Sequence, residues 1–157
     1  MPRARNSKRH QARMLAFQVL YGLSFSQVQS QDELRQAFMS YPSREDEKTG
    51  DLEAHEACAG FAWELVFGVW SMRDPIDALI SRFSQNWRID RIGHIEITVL
   101  RLALFELFFR NDTPPKVVIN EALELSSHFA EAQARKFING ILDAAVREHT
   151  KKQADKA

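Results

Sequence analysis

At 157 residues, with 45% hydrophobic side chains but only six glycines and five prolines, the chain fits one compact helical domain or two small halves sharing a core. Basic and acidic side chains stand at 21 each, so net charge selects no partner class. One cysteine excludes an internal disulfide and fits a reducing cytoplasm, the N-terminus lacks the apolar core of a signal peptide, and no apolar run suits a membrane span.

The distribution of charge is more telling than its sum. Arg3, Arg5, Lys8, Arg9 and Arg13 all precede the first acidic residue, Asp32; the formal net charge is zero overall, so the remainder carries −5. Residues 1–7 read as a flexible cationic arm. A helix is predicted over about 8–25, with Ala12, Leu15, Ala16, Val19, Leu20 and Leu23 forming its buried stripe. Arg9, Arg13, Phe17 and Tyr21 recur four apart as a second stripe beside it. Ser30-Gln31-Asp32-Glu33 is a capping-box pattern that opens a short helix to about Tyr41. The polar run 42–50, with proline first and glycine last, predicts a loop. A long helix follows over about 51–72, with Leu52, Ala59, Trp63, Val66, Phe67 and Trp70 turned inward.

Asp74-Pro75 predicts an N-cap followed by a helix to about Asn86, and 87–91 a short connection. The stretch Ile92–Phe109 has 12 apolar residues in 18 and apolar groups on most sides, which predicts a central helix surrounded by others. Glu96, Arg101 and Glu106 interrupt it and would each be costly in hydrocarbon. Pro114 and Pro115 end the central helix, and Thr113 is expected to cap the next, Pro115–Phe129. A last helix is predicted over about 131–148, carrying Phe137, Ile138, Ile141, Leu142 and Ala145, with a frayed polar tail over 151–157. The expectation is an all-α fold of about seven helices in two packed bundles, 1–73 and 74–150.

Catalytic and metal signatures are missing. His55-x-x-Cys58 lacks a second ligand pair, and His94-Ile95-Glu96 matches half of a zinc deaminase signature whose Cys-x-x-Cys half needs more than one cysteine. No phosphate-binding glycine loop or Gly-x-Ser-x-Gly elbow occurs. Glu121/Glu124 and Glu64/Asp77 read as solvated surface charges. The expectation is therefore no metal, no cofactor and no enzymatic activity. Arg101 and Glu106, within the central helix, require partners if buried, and Glu121 is expected to pair with Arg101. The basic arm and the start of the first helix offer charge to phosphates. Phe17 and Tyr21 suit either unstacked bases, as in single-stranded RNA, or the core.

Four stretches carry a family resemblance: Ala12-Arg13 with Ala16–Tyr21 (AFQVLY), Val99–Leu107 (VLRLALFEL), Pro115–Leu125 (PKVVINEALEL) and Lys136–Asp143 (KFINGILD). In this order and spacing the chain resembles the NusB family of bacterial transcription antitermination factors, from about Arg9 to Arg147. The resemblance implies two helical bundles without a catalytic site. It also implies binding to the single-stranded boxA element of nascent ribosomal RNA together with a small-subunit ribosomal protein, NusE, in an RNA polymerase complex with other Nus factors. It leaves room for a homodimer in the free state.

Position by position, the resemblance puts Arg9, His10, Arg13, Gln133, Lys136 and Phe137 on the RNA surface, and Tyr21, Asp90 and Glu96 against the ribosomal protein. His10 and Gln11 replace a denser arginine run of relatives, which shifts phosphate contacts toward Arg3, Arg5 and Lys8. Gln133 stands at a site that is acidic in some relatives, so repulsion of phosphate is lost there. The competing reading is a protein-only helical scaffold without specific RNA binding.

Overall fold

The computed structural model describes the backbone of residues 2–41, 52–85 and 88–156, with side chains from Lys8 in the first segment and from Gly60 in the second. The expected loop over 42–50, Trp87, and the side chains of Arg3, Arg5, His55 and Cys58 lie outside the described residues. Seven α-helices occur among the described residues, with no strand, as the periodicity predicts. They form two compact units, Met1–Gly68 and Val69–Ala157.

The first unit contains α1 (Pro2–Leu23), α2 (Gln31–Ser40) and most of α3 (Leu52–Ser71). Where an arm followed by a helix from about Lys8 is expected, α1 is continuous from Pro2. Ala12, Ala16, Phe17 and Val19 are buried, whereas Leu15, Leu20 and Leu23 are half-buried. The capping box forms at α2: the Glu33 backbone N–H donates to Ser30 Oγ (3.2 Å), and Glu33 Oε2 accepts from the Gln29 N–H (2.9 Å). Only Leu34 of this helix is buried; Phe38 meets Trp63 of α3 edge-on, with ring centroids 5.5 Å apart. Along α3 the fully buried row is Ala62, Leu65, Val66 and Val69, while Trp63, Phe67 and Trp70 are half-buried. The predicted inward face is thus rotated toward the smaller side chains, and the large indoles lie at its rim.

The second unit is organised by α5 (His94–Phe109), packed against α4 (Arg73–Phe83), α6 (Pro115–Phe129) and α7 (Ala132–Asp155). Ten of its sixteen residues are buried, Ile97 to Leu100 and Leu102 to Leu107, which is why its apolar residues occupy nearly every side. The neighbouring helices answer with narrower stripes: Ile76 and Ile80 on α4, Val118, Ala122 and Leu125 on α6, and Ile138, Ile141, Leu142 and Ala145 on α7. Burying side chains of this size stabilises the fold by about 1.5–3 kcal/mol each.

Several local expectations are corrected. Arg101 pairs with Asp77 of α4, not with Glu121: its Nε and Nη2 donate to Oδ1 and Oδ2 at 2.8 and 3.0 Å. Arg101 faces α4 from its place on α5, and the planar guanidinium fork fits a carboxylate in two parallel bonds. Thr113 does not cap α6, which starts after Pro114; instead it is buried and its hydroxyl donates to Glu106 Oε1 at 3.4 Å. Glu106 is only 2% exposed, so this contact helps to meet the need of a buried carboxylate. Asp74 is inside the first turn of α4, after Met72 at the cap, so Pro75 occupies the third helical position. The tail is helical to Asp155. There His149 meets Phe108 edge-on at 5.5 Å, Lys152 lies 5.9 Å from the same ring and Glu148 pairs with Arg82, so side chains of α4 and α5 hold the extension.

Candidate nucleic-acid interface

In the first unit the cationic residues of α1 divide by burial. Lys8 and Arg9 are exposed and His10 is half-buried, but Arg13 is only 2% exposed. One aromatic residue of α3 is shared across the division. The Arg9 guanidinium carbon lies 4.8 Å from the Phe61 ring centroid and that of Arg13 lies 5.4 Å from it. One turn separates the two arginines, so both reach the same ring, where the π-face attracts a cation. Arg9 keeps solvent access while its guanidinium is braced, whereas Arg13 belongs to the packing. Phe61 had no sequence signal. Its role depends on α1 lying against α3, which local periodicity does not specify.

The aromatic stripe of α1 also divides. Phe17 is buried, so its stacking role falls to the core. Tyr21 is half-buried between Phe17, stacked at 6.1 Å, and Phe25, edge-on at 5.2 Å. Phe25 is 63% exposed, so the row runs from the core to the surface with Tyr21 at the transition.

In the second unit, Gln133 and Lys136 are exposed and Phe137 is half-buried, all within the first two turns of α7. Their spacing of three and four places them on one helix face. Ile138, next in sequence, is buried, which sets the rotation of the helix and leaves Lys136 in solvent. Arg135 is exposed in the same turns and adds a cation that neither the periodicity nor the resemblance singles out.

The two expected docking carboxylates occur around the start of α5. Asp90 is exposed in a short 3₁₀ turn, Ile89–Arg91, and lies 3.4 Å from the exposed Arg88 guanidinium. Glu96 is in the first turn of α5 and half-buried, with its carboxylate folded back beside Gly93, the residue at the helix cap.

These features define an all-α protein of two helical units, with cationic and acidic helix starts displayed on them. Comparison with known proteins gives the family. The family model described as the NusB family matches residues 10–147, and the chain belongs to that family. The transcription antitermination protein NusB of Desulfovibrio desulfuricans is 54% identical over 147 residues, covering 94% of this chain and 89% of the relative. T. maritima NusB is similar in structure with a TM-score of 0.74 at 30% identity, over 95% of this chain and 97% of that one. A crystal structure of antitermination factors NusB and NusE in complex with dsRNA gives a TM-score of 0.69 at 27% identity, over 88% and 95% of the two chains.

Proposed function

We propose that this chain is a non-enzymatic, cytoplasmic antitermination factor that binds boxA of nascent ribosomal RNA together with the ribosomal protein NusE, the RNA through cationic side chains and the protein through acidic ones. No helix among the described residues is long and apolar enough to cross a membrane, which is consistent with action on a transcript. The observation that carries the RNA reading is the exposed Arg9 guanidinium held on Phe61, next to exposed Lys8. A cation already ordered by a ring loses less rotamer freedom when it meets a phosphate. Lys136 supplies a further phosphate contact, and Gln133 and Phe137 offer amide hydrogen bonding and a ring edge to an unpaired base. On the second unit Asp90 and Glu96 receive basic side chains of the ribosomal protein, and on the first Tyr21 offers it an aromatic contact.

Sequence preference arises from RNA and partner contacts acting on one transcript, so neither need be tight alone. The test is a gel-shift of single-stranded boxA RNA against a scrambled strand and a boxA duplex, with and without NusE. Preference for the single-stranded boxA, strengthened by NusE, is the expected result. Equal binding to all three RNAs in both conditions refutes the reading and leaves the protein-only scaffold. A salt titration adds a second measure: replacing one phosphate-binding cation by a neutral residue should flatten the log–log slope by about 0.7 for a single strand.

A further inference from the structure

Two glutamates occupy equivalent places in their helices, and only one is used internally. Glu33 stands three residues after the N-cap Ser30 of α2, and Glu96 three residues after the N-cap Gly93 of α5. In α2 the box is closed: Ser30 Oγ accepts from the Glu33 N–H and the Glu33 carboxylate accepts from the Gln29 N–H. In α5 the cap residue has no side chain to close it, and the cap makes no side-chain hydrogen bond. Glu96 has no hydrogen-bond or ion-pair partner among the described residues, yet its carboxylate is folded back onto the backbone at Gly93 rather than extended into solvent. A Cβ added at Gly93 would collide with Glu96 Oε2 and press on the carboxyl carbon.

Backbone conformation does not account for the glycine. Gly93 has φ −62° and ψ 155°, an extended conformation open to any residue. Its distinguishing property here is the space it leaves. The atoms that an added side chain would strike are the far end of a flexible side chain, so they can yield with little effect on folding but with a changed position for the carboxylate.

From this geometry we infer that Gly93 is a positioning residue for partner docking: the space it leaves lets the Glu96 carboxylate lie against the helix start with its acceptor capacity free for a basic side chain of the ribosomal protein. The inference rests on the proposed role of Glu96 and deepens it. Asp90, by contrast, already has Arg88 beside it, so an incoming cation must compete there. Serine at position 93 would offer its hydroxyl to the Glu96 N–H, as Ser30 does to Glu33 in α2, and so keep a good cap, while its Cβ would displace the carboxylate from its present place.

The test compares wild type, Gly93→Ser, Glu96→Gln and the double variant, full-length, for binding to purified NusE by calorimetry, with thermal unfolding of each. Glu96→Gln should weaken binding about tenfold, a loss of about 1.4 kcal/mol. Gly93→Ser should weaken it about three- to tenfold with a melting temperature equal to or above wild type, and should add almost nothing once Glu96 is glutamine. If Gly93→Ser binds like wild type while Glu96→Gln does not, the positioning role is refuted and the role of Glu96 stands. If Gly93→Ser weakens binding equally in both backgrounds, the glycine acts by another route and the inference also fails. If Glu96→Gln itself binds normally, the docking role of Glu96 falls and the inference with it.

Discussion

Arg9 and Arg13 provide the sharpest separation of RNA binding from folding, because adjacent turns give them opposite environments around one ring. Truncating Arg13 to alanine removes a guanidinium 5.4 Å from the Phe61 centroid and a side chain that is 2% exposed. A desolvated cation–π contact contributes up to about 2 kcal/mol. Lost packing of the aliphatic stem brings the cost to about 2–3 kcal/mol. At roughly 2–4 °C per kcal/mol for a chain of this size, melting should fall by about 4–12 °C. Arg9 is exposed, so Arg9→Ala should cost no more than about 1 kcal/mol in stability. It should instead reduce affinity for boxA RNA and flatten the salt slope by about 0.7. Differential scanning fluorimetry and a salt series of filter-binding isotherms measure the two effects. If Arg9→Ala unfolds the protein while Arg13→Ala affects only the salt slope, the assignment of roles around Phe61 is wrong.

Three other outcomes follow from the packing. Asp77→Ala should destabilise the protein by about 1–2 kcal/mol, a value reduced for the partial exposure of both partners, while Glu121→Ala should cost less; urea unfolding of the two variants checks the reassigned ion pair. Ser30→Ala opens the capping box of α2 and should cost about 1 kcal/mol, seen as faster amide exchange confined to that helix. Lys136→Ala should weaken boxA and scrambled RNA alike and lower the salt slope, whereas Phe137→Leu should reduce discrimination between them with the slope unchanged; the reverse pattern in parallel gel-shifts would exchange their roles.

Much of the architecture was legible because its signals are local or dense. The Ser30–Glu33 box fixes the start of α2, and the continuous apolar content of Ile92–Phe109 marks the one helix buried on most sides. Side-chain partners across helices were less legible. Arg101 needed a carboxylate, but helix rotation decides between Asp77 and Glu121, and rotation is a tertiary property. Thr113 looked like a cap because it precedes two prolines, yet burial near Glu106 gave its hydroxyl another acceptor. Arg13 and Arg9 are indistinguishable as letters in a basic helix and share one ring; only their burial in the folded unit separates them. The family resemblance nominated Glu96 for the partner surface, whereas the space left by Gly93 beside its carboxylate emerged only from the folded helix start.

The sharing of Phe61 by two guanidiniums also bears on how genetic data from this protein should be interpreted. A random-mutagenesis selection for lost antitermination would recover lesions at Phe61, although its assigned part is to brace Arg9 and Arg13. Mapped naively, those lesions would enlarge the apparent RNA footprint by a whole helix. Restoring function with a different aromatic at that position, but not with an aliphatic of similar bulk, would identify them as support mutations and return the footprint to its true size.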